Sequence, residues 1–86
     1  MNNNSLRMII TFVNKSGNKI CVNVSQNDTV NKLLNLFLLK YGISSKGIIF
    51  IYDEKRLNLN DHRRLFEVIK KNREIVVLDL NNVEGA

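Results

Sequence analysis

Residues 8–42 decide the fold, and they run MIITFVNKSGNKICVNVSQNDTVNKLLNLFLLKYG. Apolar and polar residues alternate in two runs on either side of a turn cluster that contains Gly17. Glycine can adopt the positive φ that closes a bulged hairpin, so the two runs predict an antiparallel pair of strands. The residues that we expect to face inward are Met8, Ile10, Phe12, Ile20, Val22 and Val24.

An amphipathic helix is predicted next, over about residues 30–41. Thr29 is a good N-cap, Asp28 beside it favours the positive end of a helix, and Gly42 stands where a left-handed C-terminal cap belongs. The apolar stripe of this helix consists of Val30, Leu33, Leu34, Phe37 and Tyr41. Three further leucines lie off the stripe and either form a second binding face or pack under a loop: Leu36, Leu38 and Leu39.

Two more apolar runs, residues 48–52 and 75–80, predict strands. Between them we expect a turn over residues 53–55, a polar connector over 56–64 and a short helical turn around 65–69. One helix must then cover one face of a mixed sheet of four or five strands, with the first and last strands parallel and central. The predicted class is α+β with a β-grasp fold. The remaining core residues are Ile43, Phe50, Leu57, Leu65, Ile75 and Val77.

Length and composition are those of one small domain. The chain has 86 residues, 44% of them hydrophobic and 24% charged, which is typical of a soluble globular protein. We expect a disordered lead-in over residues 1–6, an ordered domain over 7–80 and a flexible tail over 81–86. The longest apolar stretch is far shorter than a bilayer span, so no membrane association is expected.

The single cysteine excludes an internal disulfide, and the first residues have neither the basic nor the apolar part of a signal peptide. A reducing compartment is therefore the default expectation. We predict an intracellular protein, cytoplasmic, nuclear or both.

Over residues 8–80 the chain resembles ubiquitin and its ubiquitin-like relatives. The helix followed by Gly42-Ile43-Ser44 is also similar to that of the small ubiquitin-like modifiers (SUMO). The resemblance implies a protein modifier or modifier-like unit, recognised noncovalently and released from a longer precursor; the alternative is a non-conjugated interaction module of a larger protein. The resemblance is carried by Gly17, Asp28-Thr29-Val30, Gly42-Ile43, Phe50-Ile51-Tyr52, Lys55, Leu57, Leu65, Ile75 and Val77.

Departures from the ubiquitin pattern concern the tail above all. Ser44 and Ser45 stand where ubiquitin has prolines after its helix, and the chain ends in Gly85-Ala86, not in two glycines. A modifier needs a terminal glycine because only a tail without side chains passes the narrow channels of activating enzymes and proteases. Removal of Ala86 would expose Gly85. These two residues are thus a candidate conjugation or processing tail, and the implied partners are modifier-activating enzymes and processing proteases.

The last predicted feature of the sheet is an apolar patch on its outer face. If Phe50 and Tyr52 face the helix, the residues that alternate with them face outward, and the same holds for the final strand. Monomers seldom leave such a patch without a partner, and helices bind these surfaces with apolar anchors. Alternatively, the register is shifted by one residue or the tail covers the patch. The predicted site, for proteins with ubiquitin-binding-type motifs, comprises Ile49, Ile51, Val76 and Leu78 with Lys55 at its rim.

A basic edge is the second candidate surface, in a chain with a net charge of +5 and a pI of 9.7. Such an edge speeds encounters with acidic proteins, and it could also hold phosphate backbones with a steep salt dependence. Base stacking, however, needs exposed aromatic rings, and most of those here are expected in the core. Nucleic-acid binding is therefore the less favoured alternative. The edge comprises Arg56, Arg63, Arg64, Lys70, Lys71 and Arg73.

Catalytic chemistry finds little support in the sequence. His62 is the only histidine, and Cys21 lies mid-strand, facing outward and far from it. Asp53 and Glu54 are successive turn residues whose carboxylates point apart, and the four glycines are too dispersed for a phosphate loop. We predict no catalytic residue, no metal site and no cofactor. A monomer that is not an enzyme is expected.

Overall fold

The computed structural model describes residues 6–80. The predicted tail, with Gly85 and Ala86, and the first five residues of the predicted lead-in lie outside the described residues. The elements in chain order are β1 (Arg7–Asn14), β2 (Lys19–Ser25), α1 (Val30–Tyr41), β3 (Ile48–Tyr52), β4 (Lys55–Leu57), α2 (Leu65–Val68) and β5 (Glu74–Asp79).

The five strands form one mixed sheet in the order β2-β1-β5-β3-β4. The pairing of β1 with β5 is parallel, and the other three pairings are antiparallel. The predicted α+β fold, with a mixed sheet on one main helix, is confirmed. The last strand lies in the middle of the sheet, so the sheet is complete only when both ends of the domain have come together.

The first hairpin closes as its sequence predicts. Gly17 has a φ of 89° and donates its N–H to the carbonyl of Asn14 at 3.0 Å. The Asn14 side chain accepts the N–H of Asn18 at 3.0 Å, and the Asn14 N–H donates to the Asn18 carbonyl at 3.1 Å. Short polar side chains that bind nearby backbone are favoured in turns for this reason.

The N-terminus of α1 is capped by two different segments of the chain. The first four N–H groups of a helix have no partner within it. Here Thr29 supplies its side-chain oxygen as the predicted N-cap, and carbonyls of the connector after β4 supply two further acceptors. The pairs are Val30 N with Arg63 O (3.0 Å), Asn31 N with Asp61 O (2.8 Å) and Lys32 N with Thr29 Oγ1 (3.1 Å), and the regular helical bonds begin with Leu33 N to Thr29 O (3.1 Å).

At its other end α1 stops at Gly42, whose φ of 70° is left-handed, as predicted. The N–H of Gly42 donates to the last carbonyls of the helix, and the N–H of Ile43 donates to the Leu38 carbonyl at 3.1 Å. Glycine adopts this conformation without the steric cost that a Cβ would bring. The chain therefore reverses here and runs toward β3.

The core lies between α1 and the inner face of the sheet, and three aromatic rings stand at its centre. Phe12 stacks on Phe37 with ring centroids 4.3 Å apart, and Phe50 meets both rings edge-on at 6.0 and 5.7 Å. Each ring is at most 2% exposed. Fully burying a side chain of this size stabilises a fold by about 1.5–3 kcal/mol.

Two residues assigned to the core by sequence are exposed, and for them the prediction is wrong. Tyr41, 44% exposed, is the last residue of α1 and contacts Phe37 only edge-on, with centroids 4.7 Å apart. Ile43, 39% exposed, follows the reversal at Gly42, which directs the chain away from the core. Ile20 is only partly buried, since β2 is an edge strand.

The off-stripe leucines of α1 have three different environments. Leu38 is buried, Leu36 packs partly against the core, and Leu39 is 76% exposed. Burial of Leu38 thus favours the packing alternative for that residue, while Leu39 remains open to solvent. Ile48 and Ile69 are buried core members that the sequence prediction did not include.

Tyr52 holds the segment between α2 and β5 against the end of β3. Its hydroxyl accepts the N–H groups of Lys70 at 3.0 Å and Lys71 at 2.9 Å, and donates to the Asn72 carbonyl at 3.0 Å. The bonds are partly buried, so the backbone groups would have few other partners without this hydroxyl.

The turn between β3 and β4 is shorter than predicted. Only Asp53 and Glu54 form it, both with positive φ (53° and 69°), and Lys55 already belongs to β4. The polar connector likewise begins later than expected, since Arg56 and Leu57 complete that strand. Two successive left-handed residues match the twist of a two-residue hairpin, although glycine or asparagine is the usual choice there.

Candidate protein-binding surface

The register of the sheet brings aliphatic side chains together on the face that α1 does not cover. Val76 of β5 lies opposite Val13 of β1 on one side and opposite Ile51 of β3 on the other. Leu78 lies opposite Ile49 in the same pair of strands. The outer patch is defined here as these five residues: Val13, Ile49, Ile51, Val76 and Leu78.

Side-chain orientation in the outer patch follows the alternation expected from sequence. Phe50 and Val77, the neighbours along the chain, face α1 and are 1% and 7% exposed. On the outer face Val76 is 39% exposed, and the other patch residues are half-buried among themselves. The result is an apolar surface that is open to solvent and lies on rigid paired strands. Whether a partner binds there stays a prediction.

Cations bound the central row of the outer patch at both ends. Lys19 of β2 pairs with Val13, and Arg56 of β4 pairs with Ile51, so the row runs cation, three aliphatics, cation across all five strands. Lys19 approaches Glu74 at 3.9 Å, with both side chains more than half exposed. Exposed ion pairs of this kind contribute little, so Lys19 stays available to a partner.

Lys55, predicted at the rim of the patch, lies opposite Tyr52 in the β3–β4 pairing. Tyr52 faces the core, and the register therefore places Lys55 on the helix side of the sheet, next to the turn. The cation that the register aligns with the aliphatic row is Arg56, which sequence analysis placed in the basic edge. The two-residue turn between β3 and β4 fixes this register. The length of the turn therefore decides whether Lys55 or Arg56 flanks the patch.

The predicted basic edge is held by several local contacts of its cations. Arg63 forms a close pair with Asp61 (Nη2 to Oδ2, 2.6 Å), Arg64 donates to the Asn27 carbonyl at 2.7 Å, and Lys71 lies 3.7 Å from the Asp53 carboxylate. The guanidinium hydrogen bonds from Arg63 lower the pKa of Asp61, against the opposing effect of burial. The carbonyls of Arg63 and Asp61 also accept the N–H groups of Val30 and Asn31 at the start of α1.

Aromatic exposure near these cations is limited to one ring close to them in sequence. Phe66, on α2, is 47% exposed, and the other exposed ring, Tyr41, lies at the C-terminal end of α1. The remaining four rings are buried in the core.

Chemistry-bearing residues outside these surfaces are not brought together. Cys21 is exposed on β2, with its sulfur 3.6 Å from the Thr11 hydroxyl, and His62 is exposed in the connector. Among residues 6–80 there is no group of three or more His, Cys, Asp or Glu side chains that could hold a metal ion. In the same part of the chain, no helix has the length and apolarity to cross a membrane.

A five-stranded mixed sheet with parallel β1 and β5 and one helix packed across it defines the ubiquitin-like class of β-grasp proteins. A family model described as Ubiquitin-2 like Rad60 SUMO-like matches residues 8–75. The chain belongs to this family, which confirms the ubiquitin-like resemblance. No curated protein matches the chain closely enough to count as a relative.

Three features of the candidate surface were missed by sequence reasoning. Val13 belongs to the patch because β1 pairs with β5, and no local signal reveals the register of strands so far apart in sequence. Arg56 and Lys19 flank the row for the same reason. The alternation of β1 did predict that Val13 faces outward, so a correct strand order would have found it.

Proposed function

We propose that this ubiquitin-like unit is recognised noncovalently by other proteins through the outer patch. One observation carries the proposal: three aliphatic side chains from three adjacent strands form a row on the face of the sheet that α1 leaves open. Contiguous apolar surface of this kind on a small domain marks an interaction site more often than it marks leftover surface. No cover for it exists within residues 6–80.

The dimensions of the row suit an amphipathic helix lying across the strands. Adjacent strands are about 4.8 Å apart, so the outer two aliphatics of the row are separated by about 10 Å. Two turns of a helix rise about 10.5 Å, which places apolar residues at i, i+3 or i+4, and i+7 over the three side chains. A single helix face can therefore contact the whole row at once.

The flanking cations indicate which charges the partner helix should have near its two ends. Lys19 and Arg56 lie one strand beyond the row on either side, and both are exposed. A partner that carries carboxylates beyond both ends of its apolar stripe would match them. The net charge of +5 adds a longer-range attraction for acidic partners, which raises the association rate at low salt.

A displayed library of helical peptides tests this proposal directly. We expect selection on the folded chain to recover peptides with an apolar i, i+4, i+7 stripe and acidic ends. In 15N-labelled protein such a peptide should shift the amide resonances of the outer patch. Substitution Ile51→Asp should abolish binding, because it replaces one of the three aliphatic side chains of the row with a charge.

The matched control is Ile9→Asp, which places the same charge on the same face of the sheet. Ile9 is 52% exposed and lies at the other end of β1 from Val13. Peptide binding should survive this substitution, and Ile9→Asp should melt within about 4 °C of the parent chain, as expected for a surface change of about 0.5 kcal/mol. Ile51→Asp should cost about 1–2 kcal/mol, because Ile51 is less exposed than Ile9. Equal binding by the parent and Ile51→Asp would overturn the proposal, and a large loss of stability would place Ile51 in the core.

Covalent use of the unit as a modifier is a separate part of the proposal, supported by the sequence resemblance and by Gly85. A chain that ends at Gly85 should form a thioester with a cognate activating enzyme and ATP, detected as a band sensitive to thiols. Failure with every activating enzyme of the source cell would leave the alternative, a fixed module. That alternative predicts an open reading frame that continues past Ala86 into a further ordered domain.

A further inference from the structure

A concavity of about 460 Å³ adjoins the outer patch where β4 stops and β3 continues. The strand β4 pairs only with the last three residues of β3, so Ile48 and Ile49 extend beyond it. Gly47, which has no side chain, lines the same opening. Because β4 is shorter than β3 and Gly47 has no side chain, a step remains at the edge of the sheet, called here the step pocket.

The step pocket has both apolar and polar walls, and the polar side chains come from Ser45, Arg56 and Asn58. Leu57 is buried at its base, Leu59 is partly buried, and Leu80 is 59% exposed. Ile49 belongs to the outer patch and also lines the step pocket, together with the inward-facing Ile48 and Phe50, so the pocket borders the patch at the edge of the sheet. Arg56, the cation at the end of the aliphatic row, stands at the rim.

Leu80 is held in place although it is the last described residue. Its N–H donates to the Gly47 carbonyl at 2.8 Å, which extends the contact between β5 and β3 by one pair. The Leu80 side chain contributes a wall of the pocket without belonging to the core. A substitution here changes the pocket and leaves the packing between sheet and helix intact.

We infer that the step pocket receives one large apolar side chain, of the leucine or phenylalanine type, from the acidic amphipathic helix that lies on the outer patch. The inference rests on the proposed function. A sheet face is nearly flat, and binding energy at protein interfaces concentrates where an anchor fills a recess next to such a face. A carboxylate beside the anchor would meet Arg56, a charge-assisted contact that fixes the direction of the helix.

A double-mutant cycle between the chain and the selected peptide tests the inference. The probe is a peptide recovered with the folded chain, paired with a version in which its end apolar residue is alanine. We expect Leu80→Ala to weaken binding of the parent peptide about tenfold and to leave binding of the truncated peptide nearly unchanged. The reason is that the effects of substitutions at two contacting residues are not additive. Arg56→Gln should weaken binding and flatten its salt dependence. Leu39→Ala, at a 76% exposed position on α1, is the matched control and should change nothing.

The outcomes separate the inference from the proposed function. Loss of binding with Ile51→Asp but none with Leu80→Ala overturns the anchor pocket and leaves the outer patch standing. If neither Ile51→Asp nor Leu80→Ala changes binding, the anchor pocket and the proposed role of the outer patch are both overturned. If Leu80→Ala affects binding only while residues 81–86 are present, the step pocket belongs to the chain's own C-terminal segment, and the inference is wrong.

Discussion

Phe50 and Ile51 are neighbours on β3, yet their side chains lie on opposite faces of the same sheet. Phe50 is 1% exposed between two other aromatic rings, whereas Ile51 is half-buried on a face that no helix covers. One helix can protect only one face of five strands. The comparison teaches that the aliphatic residues on the second face lie outside the core. The inner face of each strand stabilises the fold, and the outer face is the one to which our proposal assigns recognition.

The largest expected effect is that of Phe50→Ala. Truncating this ring removes its contacts with Phe12 and Phe37 and should lower the free energy of unfolding by about 3–5 kcal/mol. Urea denaturation followed by circular dichroism measures it. The neighbouring substitution Ile51→Ala should cost only about 1 kcal/mol, because that side chain is partly exposed on the outer face. Equal losses at the two positions would contradict the division between the faces.

Tyr52→Phe should have the next largest effect. The substitution keeps the buried ring but removes the acceptor for the N–H groups of Lys70 and Lys71 and the donor to Asn72. Leaving partly buried backbone groups without partners costs about 1–3 kcal/mol. Amide hydrogen exchange at Lys70 and Lys71 should accelerate more than exchange in β1. Unchanged exchange at both amides would show that water replaces the hydroxyl fully.

Glu54→Gly should stabilise the chain by about 0.5–1 kcal/mol, because glycine has no steric penalty at positive φ but is more flexible when unfolded. The φ of Glu54 is 69°, in the turn that sets the register between Ile51 and Arg56. Thermal unfolding measures the gain. Lys55→Gly, one residue later in extended backbone, is the control and should destabilise. A loss of stability with Glu54→Gly would mean that its side chain has a structural role.

The smallest expected effect depends on pH and concerns the cap of the helix that covers the inner face. Hydrogen bonds from Arg63 lower the pKa of Asp61 in the folded state. The stability that these hydrogen bonds contribute is fully present above the pKa of about 3.9 that the carboxyl has in the unfolded chain. It is lost as the pH falls through the lower pKa of the folded state. The parent chain should therefore lose more stability between about pH 5 and pH 2 than Asp61→Asn does. Parallel curves for the two chains would exclude this contribution.

The ends of α1 could be predicted from sequence because their chemistry is local. Thr29 and Gly42 act on backbone within four residues of themselves, so no knowledge of the sheet is needed. The direction of Ile51 and Val76 was likewise predictable, since alternation along one strand decides it. In each case a short pattern contains the main physical cause, although carbonyls of the distant connector complete the N-terminal cap of α1.

The remainder depends on contacts between distant segments. Val13 joins the outer patch only through the register of β1 with β5, and the contact between Leu80 and Gly47 places one wall of the step pocket. Tyr41 has the spacing of a core residue, but the core ends before the last turn of α1, as its 44% exposure shows. The alternation of residues along one β-strand contains no information about these contacts.

The central position of β5 has a consequence for how the chain is made. During synthesis β1, β2 and α1 leave the ribosome long before Glu74–Asp79, the segment that must fill the middle of the sheet. Closing so large a loop is entropically costly until the final contacts form, so folding waits for the last strand. In a nascent chain that lacks β5, β1 and β3 have no strand between them, so we expect the aromatic cluster to pack only after Glu74–Asp79 has emerged.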